Sequence, residues 1–372
     1  MGERIPVILC IDVEPDPRRP DPTKTVPWRG FERLYPYLQE LRPQMADATG
    51  EVARLNWFWR VDPQVETVYG SAEWALRRYE AEVAETVMAG DEHGVHPHAW
   101  RWDVALHGWV PDYGNPSWVE HCVVKSFMAF RSVFGKACES VRIGDRYFDD
   151  RVRGRLERLG CRFDLTVEPG EKPIRALAVR EGYTGSVPDY RSVEMGPYRP
   201  RVEYFRERDE DRSEGLWIIP LTSGVMSERG LRWRRYLRRQ WSSMGPIPTG
   251  YGTLRLWEPP ELVQPAIEET LERLERPYLA FAIRSDVLLN PWWGGNCRKN
   301  LESLLRRARS RRLVFCTPRD LLPMLELPAE RLVATALDEA LQPSIQHPRL
   351  AVPTGASLPV LPHGIGQSAS PE

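Results

Sequence analysis

Two short stretches of the chain carry side chains that could together bind a divalent metal ion. Asp12 and Glu14 lie two residues apart, and His96 and His98 repeat this spacing far downstream. In an extended segment, such spacing places both side chains on one face. Two imidazoles and a carboxylate are a ligand set of catalytic metal sites that keep one coordination position open for water. The sequence therefore predicts a metal-dependent hydrolase.

The two acids follow an apolar run, residues 5–11, which is typical of a buried strand that delivers them to its carboxyl end. One carboxylate could bind the ion while the other deprotonates a water, a division that different environments could enforce through the two pKa values. Alternatively, both acids are solvated at the start of a loop, since Pro15, Asp16 and Pro17 follow. A buried arginine such as Arg142 could orient the free carboxylate. The residues alone leave open which acid is the ligand.

The composition limits the partners and the compartment. The chain has 51 basic and 52 acidic residues and a formal net charge of −1, so no global field favours nucleic acid or an anionic membrane. Six cysteines occur without a Cys-x-x-Cys pair, which predicts buried thiols in a reducing compartment. Without an apolar run of about 18 residues or a secretory signal, we expect a cytoplasmic protein and no membrane insertion. Whether it forms a homo-oligomer is left open.

Apolar runs of strand length alternate with amphipathic stretches along most of the 372 residues. We count about seven β/α units, which favours a closed or nearly closed parallel barrel over an open sheet. Strands are predicted at 5–11, 54–59, 140–142, 162–164, 216–220, 278–283 and 312–316. Helices are predicted at 30–45, 72–89, 117–134, 148–159, 259–275 and 296–310.

The barrel is expected to form one domain over residues 1–330. Two stretches that interrupt the β/α alternation, about 183–215 and 227–252, are predicted to be insertions over its rim. A terminal helix is expected over 331–342. Residues 343–372 are rich in Pro, Ser, Gly and Gln without periodicity, which predicts a disordered tail.

Further polar residues are predicted to surround the metal site. Parallel barrels place their chemistry at the carboxyl ends of the strands. Many of the 14 tryptophans also lie beside turn residues, where their rings could either bind a sugar or plug the base of a loop. His93 is an alternative ligand to His98, although strict alternation would turn it to the opposite face. The candidate substrate contacts are Arg60, Asp62, Asp145 and Trp292.

Four segments, 12–14, 90–98, 142–145 and 156–169, occur in an order that resembles the polysaccharide deacetylases of carbohydrate esterase family 4, the NodB-homology domain. The resemblance covers about residues 5–320. Its most specific part is an arginine-glycine turn, a helix and then a leucine-glycine-aspartate strand that ends in proline.

The resemblance implies a distorted (β/α)₇ barrel that removes N-acetyl or similar acyl groups from a sugar or glycan. It implies one divalent metal ion, Zn²⁺ first and Co²⁺, Ni²⁺ or Mn²⁺ as alternatives. The first acid of the opening motif would be the catalytic base and Arg142 would brace it. Family members more often have their second histidine where this chain has Trp100. The roles carried over are Asp12 as base and Glu14, His96 and His98 as metal ligands.

The largest departure from the family lies after the strand at 278–283. There the family has a histidine that protonates the leaving amine, and this chain has Arg284. Arginine is not deprotonated in proteins, so it cannot be a general acid, although it could stabilise an oxyanion. Either a carboxylate carries the proton in both directions, or another group such as His93 substitutes, or activity is lost. The alternatives are thus a silent barrel that binds a glycan or scaffolds a biosynthetic complex, and another metal-dependent amide or glycoside hydrolase.

Overall fold

The computed structural model describes residues 4–24, 26–175, 186–227 and 250–325. The terminal helix and the tail expected from the sequence lie outside these residues, as does most of the second insertion. Their β-strands are β1 (Ile5–Val13), β2 (Asn56–Trp59), β3 (Glu92–Val95), β4 (Trp100–Asp103), β5 (Gly108–Pro111), β6 (Ser140–Val141), β7 (Phe163–Asp164), β8 (Ile174–Arg175), β9 (Ser186–Val187), β10 (Trp217–Ile218), β11 (Ser223–Met226), β12 (Gly250–Thr253), β13 (Leu279–Arg284) and β14 (Leu313–Phe315).

Helices cover the outside of the sheet and return the chain between parallel strands. They are α1 (Arg29–Thr49), α2 (Pro63–Tyr69), α3 (Trp74–Arg78), α4 (Glu80–Met88), α5 (Pro116–Phe134), α6 (Asp150–Arg158), α7 (Pro260–Arg273), α8 (Pro291–Arg311) and α9 (Pro318–Met324). Several begin with a side-chain cap followed by proline, as at Asp62 and Asn115, and α1 ends at Gly50 with φ 73°. The capping side chains accept hydrogen bonds from backbone N–H groups of the first turn, where proline fits because it has no N–H to satisfy. Gly50 tolerates the positive φ at the end of α1.

The central sheet is parallel throughout, in the order β10-β7-β6-β3-β2-β1-β13, with β14 also pairing with β1. In β1 every residue after Ile5 is buried, as expected for a strand covered on both faces. The chain after β10 meets β13: the N–H of Thr222 donates to the carbonyl of Ala280 at 2.9 Å, and the N–H of Ala280 donates to the Thr222 hydroxyl at 2.7 Å. The two ends of the sheet therefore approach each other, and the fold is a distorted (β/α)₇ barrel, as predicted.

Two local features differ from the predicted elements. The helix expected over 72–89 is two helices, α3 and α4, which meet at Tyr79. After His98 the chain forms an antiparallel hairpin of β4 and β5, which the sequence reading did not include. All six cysteines are buried and unpaired, as predicted. None of the described helices combines the length and apolar character needed to cross a membrane.

The end of β7 makes folding stability depend on pH. Asp164 is fully buried and accepts hydrogen bonds from the N–H and hydroxyl of Thr166, at 3.1 and 2.6 Å. Burial raises its pKa from an ordinary value of 3.8 to about 7, despite these hydrogen bonds. The folded state therefore keeps a proton that the unfolded chain has released. The resulting stability is complete below about pH 4 and is lost as the pH rises through about 7.

We expect Asp164→Asn to remove this contribution, because the amide does not titrate. The difference in free energy of unfolding between wild type and variant should change by up to about 4 kcal/mol between pH 4 and pH 7. Urea denaturation across this range measures it. Asp47→Asn, at an exposed acid of α1, is the control. A difference that stays constant with pH for Asp164→Asn would contradict the assignment.

Candidate metal centre

The carboxyl ends of β1 and β3 bring the predicted ligands together. Ligand atoms of Glu14, His96 and His98 all lie within 4.8 Å of one another, and all three side chains are buried. The two imidazole rings meet edge to face, with 4.8 Å between their centroids. The i, i+2 spacing thus places each pair on one side of its segment, and the three residues could hold a metal ion.

The hydrogen bonds of His96 determine which ring nitrogen is free. Its Nδ1 lies 2.5 Å from the carbonyl oxygen of Arg142. A carbonyl can only accept, so Nδ1 carries the hydrogen and Nε2 presents its lone pair. That Nε2 lies 3.1 Å from Nε2 of His98. Burial lowers the pKa of His96, and burial together with the charge of Arg60 lowers that of His98 much further, so both rings are neutral.

Two neutral imidazoles whose Nε2 atoms face each other at 3.1 Å suit a shared cation. Two ligands of one tetrahedral zinc ion, each about 2.0–2.1 Å from it, are separated by about 3.3 Å. The nearest oxygen of Glu14 is 3.9 Å from Nε2 of His98, so a carboxylate lies on the same side. The nitrogen, nitrogen and oxygen donor set therefore fits a divalent transition metal.

Glu14 is held in place by two arginines. Arg60 donates to Oε2 at 3.3 Å, and Nε of Arg284 lies 3.1 Å from Oε1. Burial alone would raise the pKa of Glu14, but Arg284 and further positive groups lower it by more. The pKa of Glu14 therefore lies below its ordinary value. The carboxylate is thus ionised before any metal arrives.

Asp12 lies beside this group and is paired with Arg142, as the sequence predicted. Nε of Arg142 donates to both oxygens of Asp12, at 2.9 and 3.1 Å, and Nη1 donates to the carbonyl of Leu165. Oδ1 of Asp12 is 3.8 Å from Nδ1 of His96, on the edge of the ring away from His98. Asp12 is thus a neighbour of the ligand group rather than a member of it.

Arg60 and Asp62 were predicted to contact substrate, and the structure encloses them. Arg60 is 1 % exposed and Asp62 is fully buried. Asp62 caps α2, accepts from Nε of Arg60 at 2.7 Å and accepts the N–H of His98 at 2.9 Å. Their hydrogen bonds position Glu14 and His98, and a contact of either residue with a substrate stays a prediction.

Asp145 is likewise enclosed and supports His98. Its Oδ2 accepts from the indole of Trp100 at 2.6 Å and the hydroxyl of Tyr113 at 2.7 Å, and lies 3.3 Å from Nδ1 of His98. Arg18 forms an ion pair with the other oxygen. The backbone of Asp145 has φ 54°, a left-handed conformation that costs energy in a non-glycine residue. The Asp145 carboxylate lies where it can orient the ring of His98, and its contact with a substrate stays a prediction.

The remaining candidates lie apart from the ligand group or at its edge. Trp292 is half-buried in the first turn of α8, where its backbone N–H donates to the side-chain oxygen of Asn290, and its role stays a prediction. Arg284 is partly exposed and pairs with Asp286 as well as with Glu14.

His93 is excluded both as the second histidine ligand and as a substitute acid. It is buried between the indole of Trp59, which donates to Nδ1 at 3.1 Å, and the hydroxyl of Thr86, 3.2 Å from Nε2. Burial lowers its pKa to about 3. Both ring nitrogens are therefore occupied away from Glu14, and His93 is a core residue.

Gly144, Arg18 and Tyr113 contact residues of the site but were not among the predicted site residues. A Cβ on Gly144 would lie 2.0 Å from the ring of His98, so only glycine leaves room for that imidazole. Arg18 reaches Asp145 from the loop after β1. Gly144 lies in the arginine-glycine turn at 142–145, which the sequence pattern indicates. Nothing in the sequence around Arg18 indicates an ion pair with a distant segment.

No protein-family model matches this sequence, and no curated protein matches it. Among solved structures, a provisionally named glycoside hydrolase/deacetylase from Parabacteroides distasonis has a TM-score of 0.50 at 12% identity, over 84% of this chain and 69% of that chain. A provisionally named polysaccharide deacetylase from Mycobacterium smegmatis has a TM-score of 0.46 at 12% identity, over 91% and 96%. A peptidoglycan deacetylase from Bacillus subtilis has a TM-score of 0.37 at 7% identity, over 87% and 93%.

At these identities the likeness concerns the fold. It agrees with the barrel described by the strand order and by the hydrogen bonds between Thr222, after β10, and β13. The sequence resemblance is therefore confirmed at the level of architecture: this chain has the distorted (β/α)₇ barrel fold of the polysaccharide deacetylases.

Proposed function

We propose that the protein is a metal-dependent hydrolase that removes an acyl group, first of all N-acetyl, from a sugar. The observation that carries this proposal is the buried Glu14, His96 and His98 group at the carboxyl ends of the barrel strands. The deacetylases named among the structural neighbours support it at the level of fold. Zn²⁺ is the metal that we propose first, because the donor set is two imidazoles and one carboxylate.

The residues around the group can divide the chemistry. A divalent ion held there would supply Lewis acidity, which polarises carbonyls and makes water acidic near neutral pH. Asp12 is oriented by Arg142 and would accept the proton. Arg284 cannot protonate a leaving amine and His93 is enclosed. We therefore propose that Asp12 also donates the proton to the leaving amine. Arg284, whose side chain is partly exposed, would stabilise negative charge that develops on the substrate oxygen.

Metal content and acetate release test the proposal together. We expect the wild type to bind one divalent ion and to release acetate from N-acetylated oligosaccharides. His96→Ala removes one nitrogen ligand and should weaken metal binding by more than the about 10- to 100-fold that changes behind the ligands cost. Elemental analysis after dialysis measures the metal. His121→Ala, at an exposed histidine of α5, should keep it. Stoichiometric metal in His96→Ala would refute the assignment.

The same experiment tests the second candidate, a barrel that binds a glycan without turnover. The presence of Arg284 where the resemblance implies an acid histidine favours it. That candidate requires glycan binding without acetate release, whether or not metal is bound. New reducing ends without acetate would instead indicate a glycoside hydrolase.

A further inference from the structure

Arginines supply most of the accessible charge beside the metal-ligand group, among the residues that the structure describes. The side chains of Arg18 and Arg284 are 45% and 29% exposed. The carboxylates that they pair with in the site, Asp145 and Glu14, are 0% and 2% exposed. Asp286 is the exception, at 20%, and it is paired with Arg284. A molecule that approaches the ligand group therefore meets guanidinium groups first.

Arg18 is held at this position by its loop. The guanidinium carbons of Arg18 and Arg19 lie 5.7 and 5.3 Å from the ring centroid of Trp100, which is a cation–π arrangement. The indole of Trp109 donates to the carbonyl of Pro20 at 2.6 Å and ties the loop to β5. Together with the ion pair to Asp145, these contacts fix the direction of the side chain.

The ion-paired groups around the ligand atoms carry a formal net charge of −1 while no metal is bound. Arg60 and Arg284 both contact Glu14, and burial together with the charge of Arg284 lowers the pKa of Arg18. A divalent ion would make the total charge of the paired groups positive. These groups are four arginines and five carboxylates: Arg18, Arg60, Arg142, Arg284, Asp12, Glu14, Asp62, Asp145 and Asp286.

We propose that the substrate is an anionic acylated sugar, one that bears a carboxylate or phosphate which Arg18 and Arg284 bind. This inference rests on the proposed function and names its substrate class. An oxyanion bound by both guanidinium groups would accept charge-assisted hydrogen bonds and offset the repulsion between them. A neutral sugar would neither accept charge-assisted hydrogen bonds of this strength nor offset the repulsion between the two arginines.

Calorimetric titration of the zinc-loaded protein tests the preference without relying on turnover. The probes are N-acetylglucosamine, its 6-phosphate and N-acetylmuramic acid, which differ in the anionic group. We expect the better of the two anionic sugars to bind about 10- to 100-fold more tightly than the neutral one, as hydrogen bonds to charged groups predict. The tighter of the two anionic probes identifies phosphate or carboxylate as the group recognised.

An anion could also bind the metal ion directly, so variants of Arg18 complete the test. Arg18→Gln should reduce the preference to about threefold or less with metal content unchanged, and Arg18→Lys should restore part of it. Arg4→Gln removes an exposed, ion-paired arginine at the opposite end of β1 and should change nothing. Equal affinity for all three probes in the wild type, or an undiminished preference in Arg18→Gln, overturns the inference.

Acetate release, measured in parallel, separates this inference from the proposed function. Equal release from neutral and anionic sugars, with equal affinities, leaves the hydrolase standing and refutes the anion preference. No release from any probe counts against the hydrolase, while the affinities still decide which sugar class binds.

Discussion

Asp12→Asn should lower kcat by about 10²- to 10⁴-fold while the metal stays bound, because an amide cannot accept the proton that general-base catalysis requires. Asparagine has nearly the shape of aspartate, so the space around Arg142 is kept. Asp12 lies outside the group formed by Glu14, His96 and His98, so the ligand atoms are unchanged. Loss of activity with metal retained is therefore the specific signature of a base.

The cost to folding must be measured beside activity. Arg142 is buried and both oxygens of Asp12 face its Nε, so the variant leaves a buried positive charge with weaker compensation. Such changes cost several kcal/mol when one partner is removed outright. Glu168, 3.8 Å from Nη2 of Arg142, still supplies a negative charge. We therefore expect a folded but less stable variant, which urea denaturation checks.

Activity and metal content together distinguish a base from a structural acid. If Asp12 accepts the proton, Asp12→Asn should lose activity while it keeps its metal and its fold. Asp21→Asn, at an exposed acid of the loop after β1, should retain both activity and metal. Loss of the metal in Asp12→Asn would instead indicate that Asp12 is a ligand. Full activity of Asp12→Asn would show that Asp12 is not the catalytic base.

The parts of the site that could be predicted from the sequence are those with local periodicity. A buried apolar run ends at Asp12, and alternation in extended segments places Glu14 with it and His98 with His96. Parallel strands then bring their carboxyl ends to one edge of the barrel. These rules need only neighbouring residues, and the structure shows the outcome that they imply for Glu14 and the two histidines.

The roles of Arg60, Asp62 and Asp145 could not be read in the same way. All three follow strand ends, but position along the chain does not tell whether a polar side chain faces solvent or closes a buried hydrogen-bond network. Asp62 is needed for an N-cap and for the N–H of His98, and Asp145 for the ring of His98. These partners belong to other elements, so only the packed barrel reveals them.

Gly144 provides the second large effect, and we expect Gly144→Ala to abolish stoichiometric metal binding although glycine is no ligand. The added Cβ would lie 2.0 Å from Cδ2 and 2.1 Å from Nε2 of His98. The ring cannot retreat easily, because Asp145 faces its Nδ1 and Asp62 holds its backbone N–H. The imidazole must therefore leave its place beside His96.

Metal affinity should fall at least about 100-fold in Gly144→Ala, since the change displaces a ligand rather than a group behind one. The free energy of unfolding should fall by about 1–3 kcal/mol from overpacking. Zinc titration against a competing chelator and urea denaturation measure the two effects. Gly295→Ala is the matched control, because nothing lies within 4 Å of its added Cβ.

A double variant shows whether the effect passes through His98. In a His98→Ala background the ring is absent, so adding Gly144→Ala should cost little further stability. An equal cost in both backgrounds would mean that the alanine strains the turn at 142–145 itself. Full metal content in Gly144→Ala would mean that His98 is not the ligand that its distance from His96 indicates. Because glycine supplies only space, this substitution tests the ligand geometry without touching any donor atom.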